Sequence, residues 1–321
     1  MVIDILLQLL LLAVGFVLLV KGADFFVDGV SSIASHFGIP QIIIGLTIVA
    51  FGTSAPEAAV SITASINQAG GVAVGNVVGS NIMNIWLILG ISAVVSPMVV
   101  KKNTIRYEIP FTIGISVIFL ILGLTFSSLN RICGVILLLL MVSFMVYLFL
   151  SAKKEMKQNK LNGEVKEEKK KINIPLTLLI SVLGGGAVVF GANLSVDAAT
   201  KLAQMCSISE DIIGLTIVAF GTSLPELVTS VIASKKGKND IAIGNIVGSN
   251  IFNLLFVLGM ASTIYPLSFG SEFIFDSIVM IGAAVTLWLF TVKNKRLSRL
   301  GGTIMLVLYG MYFSYLIYEV I

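Results

Sequence analysis

The sequence predicts an all-α integral membrane protein: ten transmembrane helices in two inverted-topology five-helix repeats. Three observations lead there. Charged residues make up only 12% of the 321 while hydrophobic residues reach 57%; a soluble domain carries about 25% charged residues, and no single globular core of this length buries so much apolar surface. The chain divides into ten apolar runs of roughly 20 residues, each long enough to cross a hydrocarbon layer of about 30 Å. A twelve-residue segment also recurs without change at an offset of 169 residues.

The runs follow one another between charged or Gly/Pro punctuation. In the first half they are Ile3 to Val20, Gln41 to Ile66, Val72 to Val95, Ile109 to Phe126 and Ile132 to Leu150. The second half gives Ile174 to Leu194, Ile212 to Ser234, Ile241 to Ile264, Phe273 to Val292 and Thr303 to Ile317. The first run lacks a basic leader, since Asp4 precedes it, and Lys21 and Asp24 follow it in place of a small-residue cleavage site. It is therefore expected to stay as a helix rather than be removed as a signal peptide.

Basic residues orient the chain, because Lys and Arg concentrate in cytoplasmic loops. An N-terminus outside the cell puts Lys21, Lys101/Lys102/Arg106, the eight lysines of 153–171, Lys235/Lys236/Lys238 and Lys293/Lys295/Arg296/Arg299 in the cytoplasm, 19 of the 21 basic residues. Only Arg131 and Lys201 fall outside. The expected organisation is a first repeat over 1–152, a charged cytoplasmic loop over 153–172 and a second repeat over 173–321 in the plasma membrane. Cys133 and Cys206 form neither a disulfide framework nor a metal cluster and read as small apolar fillers. With 8 of 21 basic residues in one loop, no basic domain is left to bind nucleic acid.

The repeat runs from Ile43 to Ser54 and again from Ile212 to Ser223. The same offset relates Asp28 to Asp197, Pro56 to Pro225, Glu57 to Glu226, Gly75-Asn76 to Gly244-Asn245, Gly79-Ser80-Asn81 to Gly248-Ser249-Asn250, Asn84 to Asn253 and Pro97 to Pro266. Five crossings per copy is an odd number, so the second copy enters from the opposite face. The linker Asn67 to Gly71 carries no charge while its partner carries three lysines, and the pattern reverses after the next run. Inverted repeats of this kind build secondary transporters, with the site at the repeat interface near the midplane.

Far from any expected helix end, two carboxylates remain in the hydrocarbon, Glu57 and Glu226. An ionisable group there costs at least about 2.5 kcal/mol and marks a functional position. Each lies in Gly-Thr-Ser-x-Pro-Glu, where the proline lacks an N–H and clashes with the carbonyl four residues earlier, releasing main-chain oxygens at Gly52/Thr53 and Gly221/Thr222 from helical pairing. Carboxylate, hydroxyl and carbonyl oxygens together suit Ca²⁺, and no thiolate or imidazole cluster invites zinc or copper. The competing reading is a capping box, Ser54-x-x-Glu57 and Ser223-x-x-Glu226, in which the glutamate only finishes a helix start.

Asn76, Ser80 and Asn84 fall at i, i+4 and i+8, as do Asn245, Ser249 and Asn253, one polar stripe per copy. The stripes line a cation path or serve as interhelical glue, and the accompanying GxxxG lets backbones approach closely. Asp28 and Asp197 read as interfacial groups, and His36 receives no role.

Gly-Thr-Ser-(Ala/Leu)-Pro-Glu followed by Gly-Asn-(Val/Ile)-Val-Gly-Ser-Asn-Ile, twice, resembles the two alpha-repeats of the sodium/calcium exchanger family, of the prokaryotic type, within the cation/calcium exchanger superfamily. The resemblance covers nearly the whole chain, with a central loop too short for a regulatory calcium-binding domain. It implies alternating-access exchange of Na⁺ for Ca²⁺ at four clustered sites, with the two ions as substrates, the bilayer as surroundings, and neither cofactor nor obligatory protein partner. It further implies Ca²⁺ ligation by Glu57, Glu226 and the main-chain oxygens of Thr53 and Thr222. Sodium would use Ala50, Thr53, Ser54, Glu57 and Ser80 on one side and Ala219, Thr222, Ser223, Glu226 and Ser249 on the other, with Asn84 and Asn253 around the middle. Sodium/calcium exchangers commonly have Asp at the position of Asn253, so this site is the more symmetric.

The expected function is a Na⁺-driven antiporter that extrudes Ca²⁺ and is not an enzyme. Two carboxylates are neutralised by one Ca²⁺ or two Na⁺, so both sets cannot be held together in a low-dielectric cavity. The alternatives are a Ca²⁺/H⁺ antiporter of the same fold and a cation channel with Glu57 and Glu226 as its selectivity ring. An intramembrane enzyme lacks a paired nucleophile and base.

Overall fold

The computed structural model describes residues 2–161, 172–205 and 219–320, and they are almost entirely helical. In chain order the helices are α1 (Val2–Phe37), α2 (Gln41–Thr53) and α3 (Ala55–Ile66), α4 (Gly70–Val95) and α5 (Thr104–Phe126), and α6 (Arg131–Leu161). The second half contains α7 (Ile174–Met205), α8 (Ala219–Thr222), α9 (Leu224–Lys235), α10 (Asn239–Ile264), α11 (Glu272–Val292) and α12 (Arg299–Val320). Eight of these are long and apolar enough to span a membrane, and the pair α2/α3, bent by 51°, makes a ninth. The segment leading into α8 lies outside the described residues, as do Cys206, residues 162–171 of the expected charged loop and Ile212 to Val218 of the repeated segment.

Several helices run past the expected ends. α1 does not stop at Val20 but continues to Phe37, because Ala23, Val27, Val30 and Ala34 keep a buried stripe while the aspartates on the other side find lysines. Lys236 Nζ lies 2.8 Å from both Asp24 and Asp28, and Lys238 Nζ 2.6 Å from Asp28. Lys21 thus stands on a helix rather than in a loop. α6 likewise extends to Leu161 through the first part of the charged stretch, and α7 runs on to Met205. α5 begins at Thr104, not Ile109, through a π-helical turn over Thr104–Glu108. That turn carries a third carboxylate, Glu108, into the buried interior at 4% exposure, where the sequence reading had only Glu57 and Glu226.

α1 and α7 lie side by side on glycine contacts. A side chain at Gly15 would strike Ser195 and Gly191, one at Gly22 would strike Gly184, and one at Gly29 would strike Ser181. As one number rises the other falls, so the two helices run antiparallel.

Two short antiparallel ladders fix the loops. β1 (Met98–Val99) pairs with β4 (Arg296–Leu297), and β2 (Ser128–Leu129) pairs with β3 (Leu267–Ser268). Hydrogen-bonded loops lie at one end of the molecule, so the loop after α4 shares a face with the loop after α11. Lys101 adds to that face, bonded to Asp240 at 3.0 Å and Glu155 at 3.3 Å. Burial alone would lower the Lys101 pKa, but Asp240 and Glu155 outweigh it and hold the ammonium above the ordinary lysine value.

α4 and α10 form the centre. The α10 stretch from Ile241 to Leu255 is buried throughout, and Cys133 is a buried filler on α6. The expected close approach through GxxxG is present in the second copy: a side chain at Gly248 would meet Leu46 O at 2.7 Å and Ala50 Cβ at 2.8 Å. α10 therefore packs backbone to backbone on α2, which carries Ala50 and Thr53.

Candidate functional site

Both Gly-Thr-Ser-x-Pro-Glu motifs interrupt a helix at the serine. The backbone leaves helical geometry at Ser54 (φ −83°, ψ 8°) and Ser223 (φ −90°, ψ 5°), with the proline in the first turn of the helix that follows. Pro56 has no N–H to give the Gly52 carbonyl, as the motif requires. The break brings the glutamates to the centre, both 0% exposed.

The capping-box reading fails at this point, because neither serine side chain caps its own helix. Ser54 Oγ instead donates to Glu226 Oε1 at 2.8 Å, and Ser223 Oγ donates to Glu57 Oε1 at 3.1 Å. Ser249 Oγ also approaches Glu226 Oε1, at 3.4 Å, and Ser80 Oγ lies 3.5 Å from Ser223 Oγ. Glu57, Glu226, Ser54, Ser223, Ser80 and Ser249 thus meet in one cluster. Thr53 joins it from α2, its hydroxyl 3.0 Å from Asn245 Oδ1 and 3.1 Å from the Val49 carbonyl. Thr222 ends α8 beside Ser223. The Ala50 carbonyl accepts the Ser54 N–H at 3.0 Å and is approached by the Thr53 hydroxyl at 3.4 Å, and Ala219 opens α8 as the Ala50 repeat partner.

The polar stripes of α4 and α10 divide into two jobs. Asn76 Nδ2 donates to Ser61 Oγ and Asn245 Nδ2 to Ser230 Oγ, each at 3.0 Å, so both are interhelical glue, Asn76 within its own half and Asn245 also across to Thr53 of the other half. Ser80 and Ser249 face the glutamates. Asn84 and Asn253, one turn further on, each begin a π-helical segment, Asn84–Leu89 and Asn253–Val257, a local geometry frequent at functional sites. Both are tied to the opposite half: Asn84 Nδ2 donates to Asn250 Oδ1 at 3.0 Å and Asn253 Nδ2 to Asn81 Oδ1 at 3.2 Å.

Asn81 and Asn250 complete a reciprocal clasp, since the side-chain amide of each donates to the other's main-chain carbonyl, at 3.2 and 3.0 Å. Neither residue was singled out from the sequence. Their recurrence in Gly-Ser-Asn at the 169-residue offset was the available signal. A fifth polar position has no counterpart: Thr229, one turn beyond Glu226, is fully buried where the first copy has the apolar Val60.

Four oxygens in this region are buried and lack a hydrogen-bond partner among the described residues: Glu57 Oε2, Glu226 Oε2, Asn84 Oδ1 and Asn253 Oδ1. Thr229 Oγ1 shares that condition. Leaving a buried acceptor unmade costs about 1–3 kcal/mol, and more for a charged group. Carboxylate and amide oxygens are the atom types that ligate a hard cation. A cavity of about 660 Å³ among α1, α2 and α7 meets this cluster only at Gly52 and Thr53 and is otherwise mainly apolar.

The sequence signature of the family described as sodium/calcium exchanger protein matches residues 7–150 and again 176–318. The chain belongs to the sodium/calcium exchanger family. The two matches begin at 7 and 176 and are thus offset by the same 169 residues as the motifs. The sodium/calcium exchanger MaX1 of Methanosarcina acetivorans is 34% identical over 96% of this chain and 98% of its own length. The putative antiporter CaxA of Alkalimonas amylolytica is 40% identical over 95% and 97%. Among solved structures, the sodium-calcium exchanger NCX_Mj superposes with a TM-score of 0.84 at 34% identity, over 98% of this chain and 99% of that one. As an exchanger the protein is a multi-pass membrane transporter for cations, Ca²⁺ among them. The family is one of transporters rather than enzymes.

Proposed function

We propose that this exchanger uses inward Na⁺ flow to extrude Ca²⁺ across the plasma membrane by alternating access. The observation that carries the reading is the set of four unpartnered oxygens on Glu57, Glu226, Asn84 and Asn253. In the proposed site Ca²⁺ takes Glu57 and Glu226 with the main-chain oxygens of Thr53 and Thr222. Sodium uses Ala50, Thr53, Ser54, Glu57 and Ser80, or Ala219, Thr222, Ser223, Glu226 and Ser249. Asn84 and Asn253 stand between the two sets.

Mutual exclusion follows from charge. One Ca²⁺ or two Na⁺ neutralises the two glutamates, so Ca²⁺ and the sodium set cannot be held together in a dry cavity. The hydroxyls converging on the carboxylates favour Na⁺ over a proton as counter-ion, because a proton needs no oxygen cage.

The proposed architecture is ten crossings in two inverted repeats, 1–152 and 173–321, joined by the loop 153–172, with the N-terminus outside. Repeat-equivalent helices α1 and α7 pack antiparallel, which supports inversion. The ladder pairs β1·β4 and β2·β3 join loops separated by even numbers of crossings in that topology. The basic face with Lys101, Lys236 and Lys238 is the cytoplasmic one by the positive-inside rule.

The test is ⁴⁵Ca²⁺ uptake into liposomes loaded with Na⁺, with the gradient replaced in turn by K⁺ and by a proton gradient. Uptake driven by Na⁺ alone is expected. Uptake driven only by protons would assign a Ca²⁺/H⁺ antiporter instead, and uptake that needs no counter-ion would make the protein a channel.

A further inference from the structure

The cavity of about 660 Å³ among α1, α2 and α7 touches the ion cluster at Gly52 and Thr53 and has no other part in it. Along α7 it runs from Leu178 to Asn193, a helical rise of about 22 Å. α2 accompanies it from Ile44 to Thr53. The chains of one leaflet fill only about 15 Å, half of a hydrocarbon layer of about 30 Å. The groove is therefore long enough to take a whole acyl chain.

Its walls suit hydrocarbon and little else. Among the described residues no charged side chain lines it, and its polar side chains are Thr53, Ser181 and Asn193. Two of these already donate, Thr53 to Asn245 Oδ1 and Ser181 to the Thr177 carbonyl. A hydrated cation would meet no carboxylate here, and water would find few partners. Along the outer edge Leu178, Val182 and Phe190 on α7 and Ile48 on α2 are each more than half exposed. Both helices belong to membrane spans, so this open apolar edge faces lipid.

Glycines keep the floor clear. A side chain at Gly186 would meet nothing within 4 Å, and one at Gly185 or Gly52 would meet only the Phe26 ring, at 3.5 or 3.7 Å. Gly184, which packs on α1 at Gly22, has a repeat partner in Gly15, whereas Gly185 and Gly186 correspond to Phe16 and Val17. The two additional glycines are thus not required by the close packing of α1 on α7.

We propose that this groove is a lipid site, holding one acyl chain of a bilayer phospholipid that enters beside Leu178 and ends against Gly52 and Thr53. The mouth lies one turn from the N-terminal end of α7, whose partial positive charge suits the phosphate of the headgroup. The chain end then forms an apolar wall beside the ion cluster.

The test uses a phospholipid with a photoreactive diazirine near the end of one acyl chain, reconstituted with the full protein, and adducts mapped by peptide mass spectrometry. Adducts should fall on 44–53 of α2 and 178–190 of α7 at several times the yield on the lipid-facing sides of α6 and α12. Gly186→Phe fills the groove from its floor and should cut those adducts about tenfold without changing the yield on α6 and α12, whereas Gly186→Ala should keep them. Equal yields on all lipid-facing helices of the wild type would reduce the groove to ordinary bilayer contact and overturn the site, whether or not Gly186→Phe folds. Undiminished adducts in a folded Gly186→Phe would overturn it as well. In a Cys133→Ala/Cys206→Ala background, Ile48→Cys should resist a membrane-impermeant thiol reagent. Rapid modification would make the groove a water-filled vestibule and exclude the lipid.

Discussion

Ser54 Oγ donates to Glu226 Oε1 across 2.8 Å, joining residues 172 positions apart in the chain. The mirror contact joins Ser223 to Glu57. Each half therefore supplies a hydroxyl to the other half's carboxylate, and neither copy of the repeat holds a complete site alone. In the proposed site, an ion bound to one glutamate would be felt by the helix break of the opposite repeat, which is the coupling that alternating access needs.

Glu57→Gln and Glu226→Gln should each abolish Ca²⁺ flux while leaving a folded protein. Each change removes one of the two charges that the proposed site offers the ion, and losing one partner of a buried charge pair costs about 3–5 kcal/mol, a factor of about 100 or more in affinity. Reconstituted flux and a thermal unfolding curve on the same preparation check both halves of the expectation. Near-normal flux in either variant would refute the site.

Ser54→Ala should weaken Ca²⁺ binding about tenfold, since it leaves Glu226 Oε1 with the longer Ser249 contact, and a lost hydrogen bond to a charged group costs about 1.5–3 kcal/mol. By the pseudo-symmetry, Ser223→Ala should behave alike through Glu57. A double-mutant cycle between Ser54→Ala and Glu226→Gln tests the link directly. Strict additivity would mean that the serine acts elsewhere.

The helix break and the paired glutamates were legible in the sequence because proline chemistry is local and the repeat doubled the signal. What each serine does was not, because Ser54-x-x-Glu57 fits a capping box equally well and only the fold brings Glu226 within reach. Charge does not mark the helix ends. Asp24 and Asp28 look like a terminus until Lys236 and Lys238 are seen opposite them. The burial of Glu108 depends on a π-helical turn at Thr104–Glu108, for which the residue pattern carries no period-based signature.

Exchange of three Na⁺ for one Ca²⁺, the ratio the family resemblance implies, would move one net charge per cycle, worth about 2.3 kcal/mol per 100 mV. Ca²⁺ uptake should then respond to a potential set with valinomycin. Indifference to voltage would indicate a two-for-one, electroneutral cycle.

The last prediction concerns Asn253. Its Nδ2 donates to Asn81 Oδ1 at 3.2 Å while its Oδ1 is buried and unpartnered. An aspartate there has no N–H to give, so an ionised side chain would set a carboxylate oxygen against the Asn81 carbonyl oxygen. Asn81 cannot turn its amide to help without losing its own bond to the Asn250 carbonyl. Like-charge repulsion from Glu57 and Glu226 works in the same direction. Asn253→Asp should therefore take up a proton, which restores a donor toward Asn81, or require an extra cation. The wild type, with a neutral amide at every ordinary pH, should transport Ca²⁺ without K⁺, whereas Asn253→Asp should stay active but gain a dependence on pH or K⁺. Flux by both proteins is compared across pH, with K⁺ present or replaced by an inert organic cation. A strict K⁺ requirement in the wild type, or identical profiles in the two, would show that Asn253 does not govern the charge balance of the site.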